Sequence, residues 1–313
     1  MALTALMVSG LAAERPVGDS RVIGVVPFPG YPEGIVVSKG KIYVSGPAVF
    51  GVPENVAQSV IHVYDLETGA YERNIPIQNQ PANAPRAQSC IAADNQGNLY
   101  VIDVVLGVLK IDPKTGTQSI YSAGFVPVYQ SVYQAGPAML PNDLAFDKKG
   151  NLYVPDSFQA TIWRIPAGGG APQVWFQDPR LDGIFGPNGI RFDKKGDTLY
   201  FSVTVNGLGE GYIYRLPVKE QPVAADLELF HTYAGAGPDG IAFGKSGKLY
   251  VALALSNQIS VLREDGSEET RYNGPAGTLL VTNHASLTGL PDPSPLFAIF
   301  DVVVNDKAGK MFE

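Results

Sequence analysis

The chain has one cysteine, Cys90, and three histidines among its 313 residues. A lone thiol excludes an internal disulfide, and so few soft ligands exclude a cysteine-rich zinc site. Charge is also scarce, at 17% of the chain against a usual level of about 25%. No run of lysines or arginines occurs and the net charge is −7, so a nucleic-acid backbone has no electrostatic footprint to bind. The one apolar stretch at the N-terminus is too short to span a bilayer. Any metal bound here has to rely on oxygen ligands.

What the chain has in abundance is glycine and proline. The 35 glycines and 25 prolines are about a fifth of all residues, against roughly 12% on average, which predicts frequent turns and few long helices. With 45% hydrophobic residues there is material for a sizeable core, and disorder is excluded. The length predicts either two domains or one large repetitive β domain. Residues 1–13 (MALTALMVSGLAA) end in small residues, as the tail of a signal peptide would, but lack its positively charged start. Residues 1–20 are accordingly read as a signal-peptide remnant or flexible extension. The expected location is secreted or periplasmic, with the cytoplasm as the alternative.

One phrase recurs along the chain. It runs proline, an oxygen-bearing residue, glycine or aspartate, two or three apolar residues, a glycine turn, then an apolar-tyrosine-apolar strand. The copies are PEGIVVSKGKIYV, QSCIAADNQGNLYV, PNDLAFDKKGNLYV, PNGIRFDKKGDTLYF and PDGIAFGKSGKLYV. Their second positions, Glu33, Ser89, Asn142, Asn188 and Asp239, are spaced 56, 53, 46 and 51 residues apart, a period that suits a four-stranded propeller blade. Each copy reads as a hairpin, and two further alternating strands follow in most repeats. The fold predicted for residues 21–313 is all-β: a single six-bladed propeller of four-stranded antiparallel blades, closed by the strand RVIGVVPF at 21–28. The sixth repeat has two registers, with either TLLVTN at 278–283 or LFAIFDVVV at 296–304 as its second strand.

In a closed ring, equivalent positions lie at equal depth about one axis, so the five second positions would converge at the mouth of the channel. Carboxylates with amide carbonyls suit a hard cation, and Ca²⁺ with its six to eight oxygen ligands fits best. The competing reading is that Asn, Asp and Glu before glycine simply form turns where strands begin.

The phrases "YPEG", "LPNDLAFDKKGNLYVPDS", "GPNGIRFDKKGDTLYF" and "GPDGIAF" together resemble the SMP-30/gluconolactonase group of six-bladed propeller lactonases. The resemblance implies that Glu33, Asn188 and Asp239 are metal ligands, that Asn142 borders metal and substrate and joins the candidate metal set, and that Asp239 is the general base. Sugar-lactone members carry an arginine where this chain has Leu140, which turns the expected substrate away from a sugar acid.

Pocket walls are expected from the loops entering the inner strands. The uncharged segment 123–140 carries Tyr129 and Tyr133, and the segment 45–59 carries Phe50; both favour an apolar or aromatic ligand. Arg86 is a candidate for a substrate carboxylate or a surface residue, Ser89 is a further oxygen of the ring, and His231 is a candidate proton shuttle. Asp103 and Asp156 follow the LYV strands at matching places, either orienting ligands or capping turns. No GxSxG elbow points to a covalent nucleophile. The expected function is a Ca²⁺-dependent hydrolase of a cyclic ester, acting on a small molecule. The alternatives are a non-hydrolytic biosynthetic or isomerising propeller of the same fold, of which strictosidine synthase is an example, and a non-catalytic calcium-stabilised binding propeller.

Overall fold

A computed structural model describes residues 19–28, 30–48, 57–84, 86–273, 281–282 and 298–302. The N-terminal segment 1–18 and Phe50 lie outside the described residues. Five antiparallel four-stranded sheets follow one another in chain order, each built from four consecutive strands. From the inside out, blade 1 is Ile35–Ser38, Lys41–Gly46, Val60–Asp65 and Tyr71–Pro76. Blade 2 is Gln88–Ala93, Leu99–Asp103, Gly107–Ile111 and Gln118–Ser122. Blade 3 is Ala145–Phe146, Leu152–Asp156, Thr161–Ile165 and Gln173–Gln177. Blade 4 is Phe185–Phe192, Thr198–Val205, Glu210–Pro217 and Glu228–Ala234. Blade 5 is Pro238–Phe243, Leu249–Leu253, Gln258–Leu262 and Glu268–Asn273.

The sixth sheet corrects the expectation of six equal blades. Among the described residues it has three strands, with Ala298–Val302 between Ser20–Val25 and Val281–Thr282. The N-terminal strand does take the edge place, and the tyrosine hydroxyl of Tyr64 in blade 1 donates to the Val25 carbonyl at 2.9 Å. Val281–Thr282, from TLLVTN, takes the place two in from that edge, and Ala298–Val302, from LFAIFDVVV, lies between them.

The repeated sequence explains the blades. In the first hairpin of blade 3, the Asp147 carboxylate accepts the backbone N–H groups of Lys149 and Asn151 at 2.8 and 2.9 Å, and Gly150 takes φ +83°. Asp94 and Asp193 cap the same turn in blades 2 and 4. The apolar-tyrosine-apolar strand buries its tyrosine against the inner strand of the next blade. Tyr100 meets Phe146, Tyr153 meets Phe192 and Tyr200 meets Phe243, all edge-on with centroids 4.8, 5.2 and 5.1 Å apart. The core therefore lies between blades, in separate apolar layers joining blades 1 and 2, 2 and 3, 3 and 4, and 4 and 5. Trp163 and Trp175 belong to two of these layers.

Alternating strand direction gives the ring two distinct ends. One end carries the loops that enter the inner strands and the turns between second and third strands. The other carries the hairpin turns. All eleven lysines among the described residues lie at or beside the turns of this second end, including Lys148, Lys149, Lys194 and Lys195. Among the described residues no helix is long and apolar enough to cross a membrane.

Candidate functional site

The five oxygen-bearing residues stand at the first end, where the inner strands begin. They are not turn residues. In blades 2, 4 and 5 the ladder gains one residue between Gln88 and Ile91, Pro187 and Ile190, and Pro238 and Ile241. In blade 3 the same offset separates the Pro141–Asp156 bridge from the Ala145–Tyr153 pair. Each bulge contains the oxygen-bearing residue and its successor, so a local kink re-aims both side chains at the same level of each blade. The glycines of "PEG" and "PNG" serve close approach. A Cβ on Gly34 would fall 2.5 Å from the Ile91 nitrogen, and one on Gly189 would fall 2.4 Å from the Asp239 carbonyl.

Serine hydroxyls lash these inner strands together across blades. Ser45 donates to the Ser89 carbonyl at 2.6 Å and Ser89 to the Pro141 carbonyl at 2.9 Å. Ser157 donates to the Pro187 carbonyl and Ser202 to the Asp239 carbonyl, each at 2.7 Å. Buried hydroxyls so paired hold each inner strand at a fixed distance from the next.

Within this frame, Asn142 and Asn188 are buried. The Asn142 amide nitrogen donates to the Ser157 hydroxyl at 3.1 Å, and that of Asn188 donates to the Thr204 hydroxyl at 3.0 Å. With the nitrogen of each amide committed sideways, its carbonyl oxygen is the atom left for a cation. Glu33 and Asp239 are half-buried. The Glu33 carboxyl is pushed up to about 7 by burial and then by the charge of Asp143, which a bound cation would reverse. Among the described residues no three of His, Cys, Asp and Glu group as a metal site, so a cation here would depend on the amides as well as the carboxylates. Two carboxylates, two oriented amide oxygens and the preference of Ca²⁺ for oxygen are mutually compatible.

Asp143, next to Asn142, is a further residue of this end that the repeated phrase does not single out. It is buried, pairs with the Arg191 guanidinium at 2.6 Å and accepts the Ile190 N–H at 2.9 Å. The Cys90 thiol also bonds to it, and burial followed by the Asp143 charge pushes that thiol well above its ordinary range. Burial and the neighbouring carboxylate thus both disfavour the Cys90 thiolate. The signal was present in the sequence: in "PND" an aspartate fills the slot that glycine holds in "PEG", "PNG" and "PDG".

The remaining candidates fall in several places. Leu140 is buried, and its N–H donates to the Asp156 carboxylate at 2.8 Å. Asp156, fully buried, also accepts from Phe158, Gln159 and Trp163. Asp103 accepts the backbone N–H groups of Val105 and Leu106 and the Gln80 amide, while the charge of half-buried Arg86 acts on it. Burial raises both carboxyls. Tyr129 donates to Asp182 at 3.3 Å, and Tyr133 lies over Gly207. His231 is not brought to the ring. It sits in the outer strand of blade 4, with its ring on Tyr233 and its Nδ1 2.9 Å from the Gly266 carbonyl in a turn at the far end. A cleft of about 300 Å³ lined by Asp147, Lys149, Arg164 and Lys219 also lies at that far end and includes none of the ring residues.

Comparison with known proteins places this geometry. The chain resembles the regucalcin of Agrobacterium tumefaciens, described as a calcium-binding protein, with a TM-score of 0.64 and 17% identity over 94% of this chain and 96% of that one. A gluconolactonase from Xanthomonas campestris gives a TM-score of 0.51 and 18% identity, covering 84% and 90%. At these identities the likeness shows the fold. In sequence, the strictosidine synthase-like 3 protein of Arabidopsis thaliana is 27% identical over 177 residues, which is 52% of this chain and 41% of the relative. The chain spans about two fifths of the length of the curated relatives it matches. The pattern of the SMP-30/Gluconolactonase/LRE-like region matches residues 31–289, and the chain belongs to that family.

Proposed function

We propose that this protein is a calcium-dependent hydrolase of cyclic esters whose substrate is apolar or aromatic. The observation that carries the reading is the ring itself. Glu33 and Asp239 stand on bulged or adjoining inner-strand starts, at the same end of the blades as two buried amides whose nitrogens are already bonded. Glu33, Asn142, Asn188 and Asp239 would hold the ion, which when bound supplies a Lewis acid for the ester carbonyl. Asp239 takes a proton from the attacking water, the ester carbon gains that oxygen as the ring C–O bond breaks, and the proton passes on to the departing alkoxide, which restores the carboxylate. The serine belt fixes Asp239 by binding its carbonyl, so the base is presented without rearrangement. Leu140, buried at the pocket side of blade 3, offers no charge to a sugar-acid carboxylate. The three-stranded sheet is read as the remainder of a sixth blade.

Metal analysis of the purified protein, followed by a panel of lactones and aryl esters with and without EDTA, tests the reading. The expected result is about one calcium per chain, lactone turnover lost with EDTA, and a fall of at least 10²-fold in Asp239→Asn. Full activity in Asp239→Asn with metal bound would defeat the mechanism. The strictosidine synthase-like relatives favour a second reading, a non-hydrolytic step in the same channel, for which turnover without ester hydrolysis survives EDTA.

A further inference from the structure

Exposed apolar side chains are unevenly spread over the molecule. Among the described residues, apart from those on edge and outer strands, most stand at the ring's first end, around the mouth, while the turns of the opposite end expose only Leu66 and Val223. Scattered exposed leucines and valines need no explanation, but a contiguous patch does. Four of these residues are brought together from three separate segments: Val132 and Tyr133 in the loop into blade 3, Ile184 in the loop into blade 4, and Leu208 in a turn of blade 4. They are 80%, 42%, 54% and 84% exposed. The Val132 N–H donates to Asp182 at 3.1 Å, the Gln134 amide reaches the Ile184 carbonyl at 3.5 Å, and the Tyr133 hydroxyl lies where a Cβ on Gly207 would be.

This shelf is rigid. Ser131 donates to Asp182 at 2.5 Å, Tyr129 donates to the same carboxylate, and the Gln159 carbonyl oxygen accepts the Val128 N–H at 2.6 Å. The shelf is also continuous with the ring. Ile184 precedes Asn188 by four residues, and Leu208 follows by four the Thr204 that holds the Asn188 amide. Four residues at no more than about 3.3 Å each keep Ile184 within roughly 13 Å of Asn188, and Leu208 within roughly 13 Å of Thr204, along the backbone.

We infer that this shelf binds an alkyl or aryl side chain of the substrate, so that the natural substrate class is an uncharged lactone bearing an apolar chain that reaches from the ring of oxygens to Val132 and Leu208. The inference rests on the hydrolase reading above. A second copy of the chain is the poorer occupant. Four side chains expose at most a few hundred Å², and a stable dimer takes about 800 Å² from each partner. An acidic ligand is poorly served as well, since the described lysines lie at the other end and the charge of Arg86 falls on Asp103.

The test is a homologous series of γ-lactones that differ only in side-chain length. Half-burial of each methylene predicts a rise in kcat/KM of about twofold per added carbon. In Val132→Ser and Leu208→Ser, which remove exposed side chains and leave the core intact, this slope should flatten. A slope unchanged in both variants, or a loss of the same factor at every chain length, overturns the shelf. Displacement of the neutral dye N-phenyl-1-naphthylamine by the longest lactone separates the two readings. If no lactone is hydrolysed but displacement is weakened at least fivefold in Leu208→Ser, the shelf stands and the hydrolase falls. If the lactones are hydrolysed and displacement is equal in wild type and variant, the shelf falls and the hydrolase stands.

Discussion

His62 is a fully buried imidazole in the third strand of blade 1, and neither ring nitrogen has a hydrogen-bond partner. Burial lowers its pKa from 6.5 to about 4. The unfolded chain therefore takes up a proton between pH 6.5 and 4 that the folded protein refuses, so this residue removes stability as pH falls through that window. The full effect is of order 3 kcal/mol. His62→Leu is expected to be more stable than wild type at pH 4, with a melting-temperature gap roughly 6–12 °C wider than at pH 7; an equal gap at both pH values would refute it. Gly189 is a second single-residue constraint. Because the Asp239 carbonyl occupies the space of its Cβ, Gly189→Ala should cost about 1–3 kcal/mol, read from denaturant melts, and should impair turnover by displacing the Asp239 backbone.

At the scale of the element, the segment 123–140 shows what a single carboxylate does for a long loop. Asp182 receives a hydroxyl from Ser131, another from Tyr129 and the N–H of Val132. Asp182→Ala removes all three, and the expected outcome is faster proteolytic cleavage within 123–140, with KM for apolar lactones raised about tenfold and kcat little changed. Equal cleavage rates would show that the loop is held by its packing alone. The blades were legible in the sequence because a glycine hairpin leading into an apolar-tyrosine-apolar strand is repeated five times, with an aspartate capping the turn in blades 2, 3 and 4. The bulges were not legible. An extra residue in one strand leaves no mark in a hydrophobic pattern, so Asn142, Asn188 and Asp239 read equally well as turn formers and as ring residues. Asp143 was obscured because its partner Arg191 lies 48 residues away, a distance that no local pattern spans.

For the whole molecule, a calcium ion held by the ring of oxygens would tie stability to its concentration and to pH. The Glu33 carboxyl, raised to about 7, holds a proton in the metal-free fold that the unfolded chain releases above its ordinary 4.5. Metal-free stability from this group is present below pH 4.5 and declines as pH rises through 7, opposite in sign to His62, and the two partly cancel. Calcium has to displace that proton. Saturation at about a hundred times Kd adds about 2.7 kcal/mol, expected as a melting-temperature rise of roughly 5–10 °C at pH 8 and a smaller one at pH 5. No shift at either pH would remove calcium from the ring. The sixth sheet was the least readable part of the fold, since the sequence after Tyr272 departs from the phrase that marks the other five.

The one-sided placement of the described lysines also bears on handling the protein. Amine-reactive coupling to a bead or sensor surface would capture the ring predominantly by its hairpin end, aligning the immobilised molecules with their channel mouths outward and leaving the apolar shelf open to flowing ligand.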